Sequence, residues 1–392
     1  MSSLRVRAYN VQFGDAILVS VPDRDPNGDE VLRHILIDVG NTLLKGGDDA
    51  VFLPALHDIQ QALAGRPVDL YVMTHEHMDH VQGLLFGSQQ QDGVTLDVDH
   101  AWLTASTAED YYERFPDAKK RRLALEATFS AIERFFQAAP DRTTPGVNAF
   151  MFNNDPRATG DCVAYLRGLA VAERTHYVFH GLDVTGKHPF TEAEIELWAP
   201  EEDTTTYYGR FQPMALGVTE APEGEAGTLV APTPPQGVDA GTFYDLVEAR
   251  RQGPGDNLLA IDAANNNTSV VFSLAWRGWK LLFPGDAEER SWKEMDKRGL
   301  LEPVHFLKVG HHGSSNGTPP PELLDKILPP VSPDGRPRKA LVSTREGSYS
   351  GVPDQPTLDR IAERCELFTI GPEAGVPFVD VEFEDPADEG PD

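Results

Sequence analysis

The chain has 392 residues, enough for one large domain or two ordinary ones, and 40% of them are hydrophobic, enough for a sizeable buried core. Its 34 basic and 62 acidic residues give a net charge of −28, which disfavours binding of long nucleic acids over a broad face. The 2 cysteines, Cys162 and Cys365, lack the spacing of a zinc finger or a disulfide framework. No stretch approaches the roughly 20 apolar residues that cross a bilayer, and the N-terminus lacks a signal-peptide pattern, so we expect a cytoplasmic protein.

The first part of the chain predicts three strands, a helix and a further strand. Alternating apolar runs at residues 4–11 and 16–21 are joined by Phe13-Gly14-Asp15, and a polar turn leads to a third run at 31–38. Apolar residues recur at helical spacing over residues 50–64, and Val68–Met73 is typical of a short buried strand.

The middle of the chain is less regular. It predicts helices at residues 118–138 and 161–170 and short strands at 176–180 and 194–198. Residues 207–255 are rich in proline, glycine and acidic residues, which is typical of an insertion, with a short helix near 243–251.

Regular alternation resumes toward the C-terminus. An apolar hairpin over residues 268–276 and 279–283 turns at Arg277-Gly278, followed by a helix at 287–298 and a strand at 304–309. The remaining strands and one helix are predicted at 340–343, 355–363, 367–370 and 376–383. We therefore expect one α/β domain over residues 1–384, with an acidic disordered tail at 385–392.

The strand at Val68–Met73 runs directly into Thr74-His75-Glu76-His77-Met78-Asp79-His80, which we call the histidine-rich loop. Imidazole and carboxylate groups are ligands for zinc, manganese and iron. At the end of a buried strand, alternate residues can face one pocket while Asp79 and His80 turn toward an adjacent pocket. The loop therefore predicts a site for two metal ions.

The histidine-rich loop, with Gly83 after it, resembles the signature of hydrolases of the metallo-β-lactamase fold. Asp38 at the end of an early strand, Asp286 in Phe283-Pro284-Gly285-Asp286, and the pair His311-His312 fit the same pattern in order and context. Further segments are similar to the hydrolase domain of the ComEC competence protein: residues 11–19, 35–40, 267–271 and 307–315. The resemblance implies a four-layer αββα sandwich of the metallo-β-lactamase type. Because no membrane segments are predicted here, it does not extend to DNA translocation.

The resemblance also implies roles for individual residues. His75 and His77 would bind the first of two divalent ions, zinc or manganese, and Asp79 and His80 the second, while Asp286 would bridge both. The last metal ligand would be His311, with His312 as the alternative. Asp79, His311 and His312 would form the catalytic group, in which Asp79 orients the nucleophile or receives its proton.

Several residues outside the loop have two interpretations each. The family's additional histidine has no obvious counterpart; His180 is a candidate ligand, although a lone histidine after an apolar strand is more often packed or exposed. Asp15 and Asp38 would hold ligand imidazoles in the correct tautomer, or would cap backbone amides at strand ends. Ser314 and Ser315 would bind a phosphate in a glycine-rich stretch, or would form an ordinary turn.

Three functions are compatible with these residues. The ComEC-like segments favour a phosphodiesterase or nuclease, in which a hydroxide held between the two metals attacks phosphorus. The net charge favours a small phosphodiester, a nucleotide or a short nucleic acid as the substrate. The same site could hydrolyse the carbonyl of a lactone, thioester or β-lactam, with residues 207–255 as a lid in either case; a metal-containing binding module is the third alternative. The basic run at residues 119–122 could contact a nucleic-acid phosphate, but it is more typical of a solvated helix face.

Overall fold

The computed structural model describes residues 3–42, 51–138, 144–208, 255–345 and 352–386. These residues contain two β-sheets and ten α-helices. The strands are β1 (Leu4–Tyr9), β2 (Ala16–Arg24), β3 (Glu30–Val39), β4 (Val68–Met73), β5 (Val98–Thr104), β6 (Thr175–Val178), β7 (Ala193–Ala199), β8 (Val271–Trp276), β9 (Trp279–Phe283), β10 (Phe306–Lys308), β11 (Lys339–Ser343), β12 (Glu366–Ile370) and β13 (Phe378–Phe383). The helices are α1 (Phe52–Leu63), α2 (Met78–Ser88), α3 (Tyr111–Arg114), α4 (Pro116–Ala138), α5 (Pro145–Asn153), α6 (Pro156–Arg167), α7 (Gly255–Asn266), α8 (Glu289–Lys297), α9 (Pro321–Ile327) and α10 (Gln355–Ala362).

Both sheets are mixed. The seven-stranded sheet has the order β13-β1-β2-β3-β4-β5-β6, and the six-stranded sheet has the order β12-β11-β10-β9-β8-β7. In the first sheet β13, β1, β2 and β3 are antiparallel neighbours, whereas β3 to β6 are parallel. In the second, β7, β8 and β9 are antiparallel and β9 to β12 are parallel. Each sheet therefore has a parallel half whose strands end at a common edge.

The two sheets pack face to face and helices cover their outer faces. One apolar cluster contains residues of both sheets, including Ile37 and Phe272. A second joins the outer face of the seven-stranded sheet to α1, α2 and α6, and a third joins the outer face of the six-stranded sheet to α8, α9 and α10. The layers are thus helix, sheet, sheet and helix, because each sheet has apolar residues on both faces to bury.

Many elements follow the sequence prediction closely. β4 is confirmed at Val68–Met73, and the β8–β9 hairpin is confirmed with its turn at Arg277-Gly278, where both residues have positive φ as a type I′ turn requires. The helix predicted at 161–170 instead begins at Pro156, because the side chain of Asp155 caps it and proline occupies its first turn. The strand predicted at 176–180 ends at Val178 and does not include His180.

Some predictions lie outside the described residues. These are nearly all of the insertion at 207–255, the short helix near 243–251 and most of the tail at 385–392. At the start of that tail, Asp385 is buried and forms an ion pair with Arg277. Within the described ranges, no helix is both long and apolar enough to cross a membrane.

Candidate metal centre

The site lies where the parallel halves of both sheets end. The histidine-rich loop follows β4, and Asp38 is the penultimate residue of the neighbouring β3. Asp286 follows β9, and His311-His312 follows the adjacent β10. Because parallel strands end at the same edge, residues far apart in the sequence meet there.

Four side chains form a compact buried cluster: Asp79, His80, Asp286 and His312, each offering one ligand atom within 4.8 Å of the others. His80 Nε2 lies 3.1 Å from Asp286 Oδ2 and 3.8 Å from Asp79 Oδ1. His312 Nε2 lies 3.1 Å from Asp79 Oδ2 and 3.8 Å from Asp286 Oδ2. Tetrahedral zinc with bonds of about 2.1 Å separates its ligand atoms by about 3.4 Å, so this spacing fits one ion.

Hydrogen bonds to neighbouring groups orient both imidazole rings of this cluster. His80 Nδ1 lies 2.8 Å from Asp38 Oδ2, and His312 Nδ1 lies 3.1 Å from the carbonyl oxygen of Ser343. Both partners are acceptors, so each Nδ1 donates its hydrogen and each Nε2 is directed toward a carboxylate of the cluster, where a metal ion would take the place of a proton. A histidine held in this way is the usual form of a metal ligand.

The charges of the cluster favour a cation. Burial disfavours the charged form of His80, but Asp286, Asp79 and Asp38 raise its pKa well above the usual range. Burial likewise opposes ionisation of Asp286, but His80 and His312 hold its pKa well below the ordinary value. Asp79 Oδ1 is buried and accepts no hydrogen bond from the described part of the chain. A bound cation would satisfy this oxygen, since an unpaired buried acceptor is costly.

His75 and His77 form a second pair beside the cluster, with His75 Nε2 3.0 Å from His77 Nδ1. Thr74 Oγ1 donates to Asp38 at 2.6 Å and therefore accepts from His75 Nδ1 at 3.0 Å. The other nitrogen of His77, Nε2, lies 3.0 Å from Asn154 Oδ1 and donates to it. Both rings thus direct their N–H groups away from each other, and two lone pairs face each other, an arrangement that a cation between them would stabilise.

The acceptor for His77 belongs to a buried network that the sequence did not reveal. Asn154 Nδ2 donates to Asp262 Oδ1 at 2.9 Å, which fixes the orientation of the Asn154 amide. Asn266 then joins Asp262 to Glu288, at 3.1 and 2.8 Å. The run Asn265-Asn266-Asn267 before β8 was the available signal, because three consecutive amides are seldom buried without a polar partner.

Asp38 and Asp15 contact different parts of the site. Asp38 contacts His80 directly, as expected, and burial raises its pKa despite the nearby imidazole. None of the described contacts of Asp15 is with a ligand imidazole. Its carboxylate accepts from Lys308 Nζ at 2.8 Å and from the Ser343 hydroxyl, while its backbone N–H donates to the carbonyl of Asp79 at 3.0 Å. Asp15 therefore links the histidine-rich loop to β10 and β11.

A glycine and several residues with left-handed backbone conformations allow the segments of the site to pack closely against each other. A Cβ atom on Gly40 would lie 2.2 Å from the backbone of Asp79 and His80, so only glycine fits there. Asp38, His311 and His312 have φ of 51°, 48° and 54°, in the left-handed region that non-glycine residues rarely occupy. Such strain is typical of functional sites, where surrounding contacts hold the residue in place.

The other expected site residues occupy different positions. His312, not the favoured His311, belongs to the four-residue cluster; the backbone N–H of His311 donates to Asp286 Oδ1 at 2.8 Å and its ring lies 3.9 Å from Glu288. His180 Nδ1 is 2.9 Å from the carbonyl of Leu197, which attaches this ring to β7. The Ser314 hydroxyl is buried and donates to Asn316 within its own turn, whereas Ser315 is exposed.

The basic run at 119–122 is not uniformly a solvated helix face. Arg122 is mostly buried and lies 3.1 Å from Glu76, the residue between His75 and His77. It also pairs with Glu126 on its own helix. By contrast, Lys120 is 79% exposed and pairs with Asp117. The run therefore anchors the histidine-rich loop through one arginine.

Comparison of the sequence with models of protein families finds no match, and comparison with curated proteins finds none either. The geometry of the residues is accordingly the basis on which a function can be proposed.

Proposed function

We propose that this protein is a metal-dependent hydrolase of the metallo-β-lactamase fold, similar to the hydrolase domain of ComEC, that holds two divalent ions and cleaves a phosphodiester. The observation that carries the proposal is the buried cluster of Asp79, His80, Asp286 and His312. Its mixed nitrogen and oxygen donors suit zinc or manganese. The absence of sulfur ligands favours a catalytic over a structural site.

The donors divide into two groups. Asp79, His80, Asp286 and His312 would hold one ion, and the facing nitrogens of His75 and His77 would hold the other. Divalent ions in such a centre lower the pKa of water toward 7 and neutralise charge that develops on the phosphate oxygens. Asp286, whose Oδ1 accepts the backbone N–H of His311 at 2.8 Å, would help to hold both ions, as the resemblance implies.

Hydrogen bonds from neighbouring residues orient the candidate ligand side chains. Asp38 holds the proton of His80 on Nδ1, Asn154 holds that of His77 on Nε2, and the Ser343 carbonyl holds that of His312. Asp79 is also held by its backbone N–H, which donates to Asn153 Oδ1 at 3.1 Å. Asp79 would be a metal ligand and would also orient the attacking water or receive its proton.

The test compares bis(p-nitrophenyl) phosphate with a simple lactone and a thioester, in the presence of Mn²⁺ or Zn²⁺. The variants are Asp79→Ala and, as a matched control, Asp117→Ala, whose side chain is 75% exposed. We expect metal-dependent phosphodiester cleavage that Asp79→Ala abolishes and Asp117→Ala retains. Turnover of the carbonyl substrates alone would reject the phosphodiesterase in favour of a carbonyl hydrolase, and two bound ions without turnover would favour a binding module.

A further inference from the structure

Of the two serines that the sequence suggested for phosphate binding, Ser314 is engaged within its own turn, whereas Ser315 is exposed. The Ser314 hydroxyl donates to Asn316 Oδ1 at 2.7 Å and accepts from the backbone of Gly317. Among nearby cations, Lys308 is buried against Asp15 and Arg122 is paired with Glu76. Both of these positive charges are paired with carboxylates, so a further contact to an anionic substrate, beside the proposed metal ions, would come from another residue.

Arg345 lies two residues beyond the end of β11, at the edge where the ligands converge. The carbonyl of Ser343, at the end of that strand, binds His312 Nδ1. The Arg345 guanidinium donates to Gln12 Oε1 at 3.2 Å, and the next residue, Phe13, packs on the His312 ring with centroids 4.3 Å apart. Arg345 is thus connected to the surroundings of His312 through Ser343 and through the Gln12–Phe13 segment.

Arg345 differs from those described arginines that are paired with carboxylates. Arg7, Arg33 and Arg122, for example, each pair with two carboxylates. Among the described residues, Arg345 forms no ion pair; its one described hydrogen bond is to the neutral amide of Gln12. Gln12 has a φ of 71°, in the left-handed region that non-glycine residues rarely occupy. A partly buried guanidinium without a carboxylate partner keeps its charge and most of its donors for another anion.

We infer that Arg345 binds the anionic phosphate of the substrate and selects phosphodiesters over neutral carbonyl compounds. The inference rests on the proposed function, since it assigns the substrate class of the same site. A guanidinium matches two phosphate oxygens at once, and such charge-assisted hydrogen bonds are stronger than neutral ones. Arg345 is a specificity residue and is not part of the metal centre.

The experiment uses Arg345→Gln, Arg345→Lys and Lys120→Gln on the metal-loaded full chain. Lys120→Gln changes the net charge by the same amount as Arg345→Gln, but at a side chain that is 79% exposed. Steady-state kinetics are measured with bis(p-nitrophenyl) phosphate, an anion, and with p-nitrophenyl acetate, a neutral ester with the same leaving group. Binding of inorganic phosphate is measured by calorimetry, with metal content and thermal unfolding recorded for every variant.

We expect Arg345→Gln to raise the KM for the phosphodiester about 10- to 100-fold, with kcat within about threefold, and to weaken phosphate binding similarly. Arg345→Lys should show a smaller loss, Lys120→Gln should match wild type, and kinetics with the neutral ester should not change. If the kinetics and phosphate binding of Arg345→Gln were indistinguishable from those of Lys120→Gln, the inference would be overturned, but the proposed hydrolase activity would stand. Wild-type protein that binds phosphate through Arg345 without cleaving phosphodiesters would support the anion site and reject the proposed reaction. Wild-type protein that neither binds nor cleaves the anions would overturn both.

Discussion

The ion pair between Lys308 and Asp15 gives the sharpest energetic prediction. Both side chains are almost completely buried, and Nζ lies 2.8 Å from Oδ2. Lys308→Met keeps most of the side-chain volume but leaves the Asp15 carboxylate with the Ser343 hydroxyl as its remaining side-chain partner. Removing one partner of a buried pair costs about 3–5 kcal/mol, because an uncompensated charge remains in the interior. We expect a loss of unfolding free energy of this size at pH 7.

A double-mutant cycle separates the charge from the packing. Asp15→Asn in the Lys308→Met background removes the stranded charge, so most of the lost stability should return. The control pair is Lys120 and Asp117, with side chains 79% and 75% exposed, for which Lys120→Met should cost less than about 1 kcal/mol. Urea unfolding would be measured on metal-free protein, so that metal binding does not contribute to the differences.

The pH dependence of the unfolding free energy tests the same ion pair. In the wild type, burial opposes ionisation of Asp15 but Lys308 lowers its pKa, so this carboxylate stabilises the fold at neutral pH and the contribution is lost as pH falls toward the folded pKa. Without Lys308, burial should raise the Asp15 pKa, and protonation should relieve the penalty. The difference between wild type and Lys308→Met should therefore shrink on acidification. A loss below about 1 kcal/mol at pH 7, or no coupling in the cycle, would refute this reasoning.

Three further predictions concern other parts of the molecule. Burial lowers the pKa of His34 to about 4, so the unfolded chain takes up a proton first and wild-type stability should fall between pH 6.5 and 4. His34→Gln should reduce this loss of unfolding free energy, measured with urea, by on the order of 2–3 kcal/mol. An unchanged pH dependence would contradict the prediction. Asn154→Leu removes the acceptor that orients His77 and should weaken metal binding about 10- to 100-fold in a chelator competition; wild-type affinity would show that the contact has no orienting role. Gly40→Ala should lower the free energy of unfolding by on the order of 3 kcal/mol or more, because its Cβ would overlap the backbone of the histidine-rich loop. Gly160→Ala, in open space on α6, should be neutral or stabilising by urea unfolding. Equal effects of the two substitutions would mean that the close approach at Gly40 is unimportant.

The parts of the fold that the sequence predicted well have strong local signals. β4 is a continuous apolar run, and the loop after it concentrates ligand-type residues at the strand end. β5 was missed because its first half is polar and only partly buried. α7 was missed because its buried apolar residues Leu258, Ile261 and Ala264 are mixed with buried amides and a carboxylate, which blurs the helical pattern. Local periodicity carries no information about such elements, since their burial depends on tertiary polar partners.

The candidate site was predictable only where its residues are close in sequence or resemble a known signature. Asp79, His80, Asp286 and Asp38 were expected from such patterns. The contact of His77 with Asn154 spans 77 residues, and that of Asn154 with Asp262 spans 108, so no spacing rule could have linked them. Adjacent histidines cannot be told apart by spacing, and both have a left-handed φ, so only the three-dimensional arrangement shows that His312 belongs to the four-residue cluster.

Metal content tests the central claim most directly. Purified protein would be loaded with Zn²⁺ or Mn²⁺, freed of loosely bound metal and measured by inductively coupled plasma mass spectrometry, alongside His312→Ala and His311→Ala. We expect two ions per chain in the wild type, one in His312→Ala and two in His311→Ala, because among the described residues His312 belongs to the four-residue cluster and His311 does not. Wild-type protein that retains no metal, or a His312→Ala variant that retains the wild-type content, would contradict the assignment of this cluster as a metal centre.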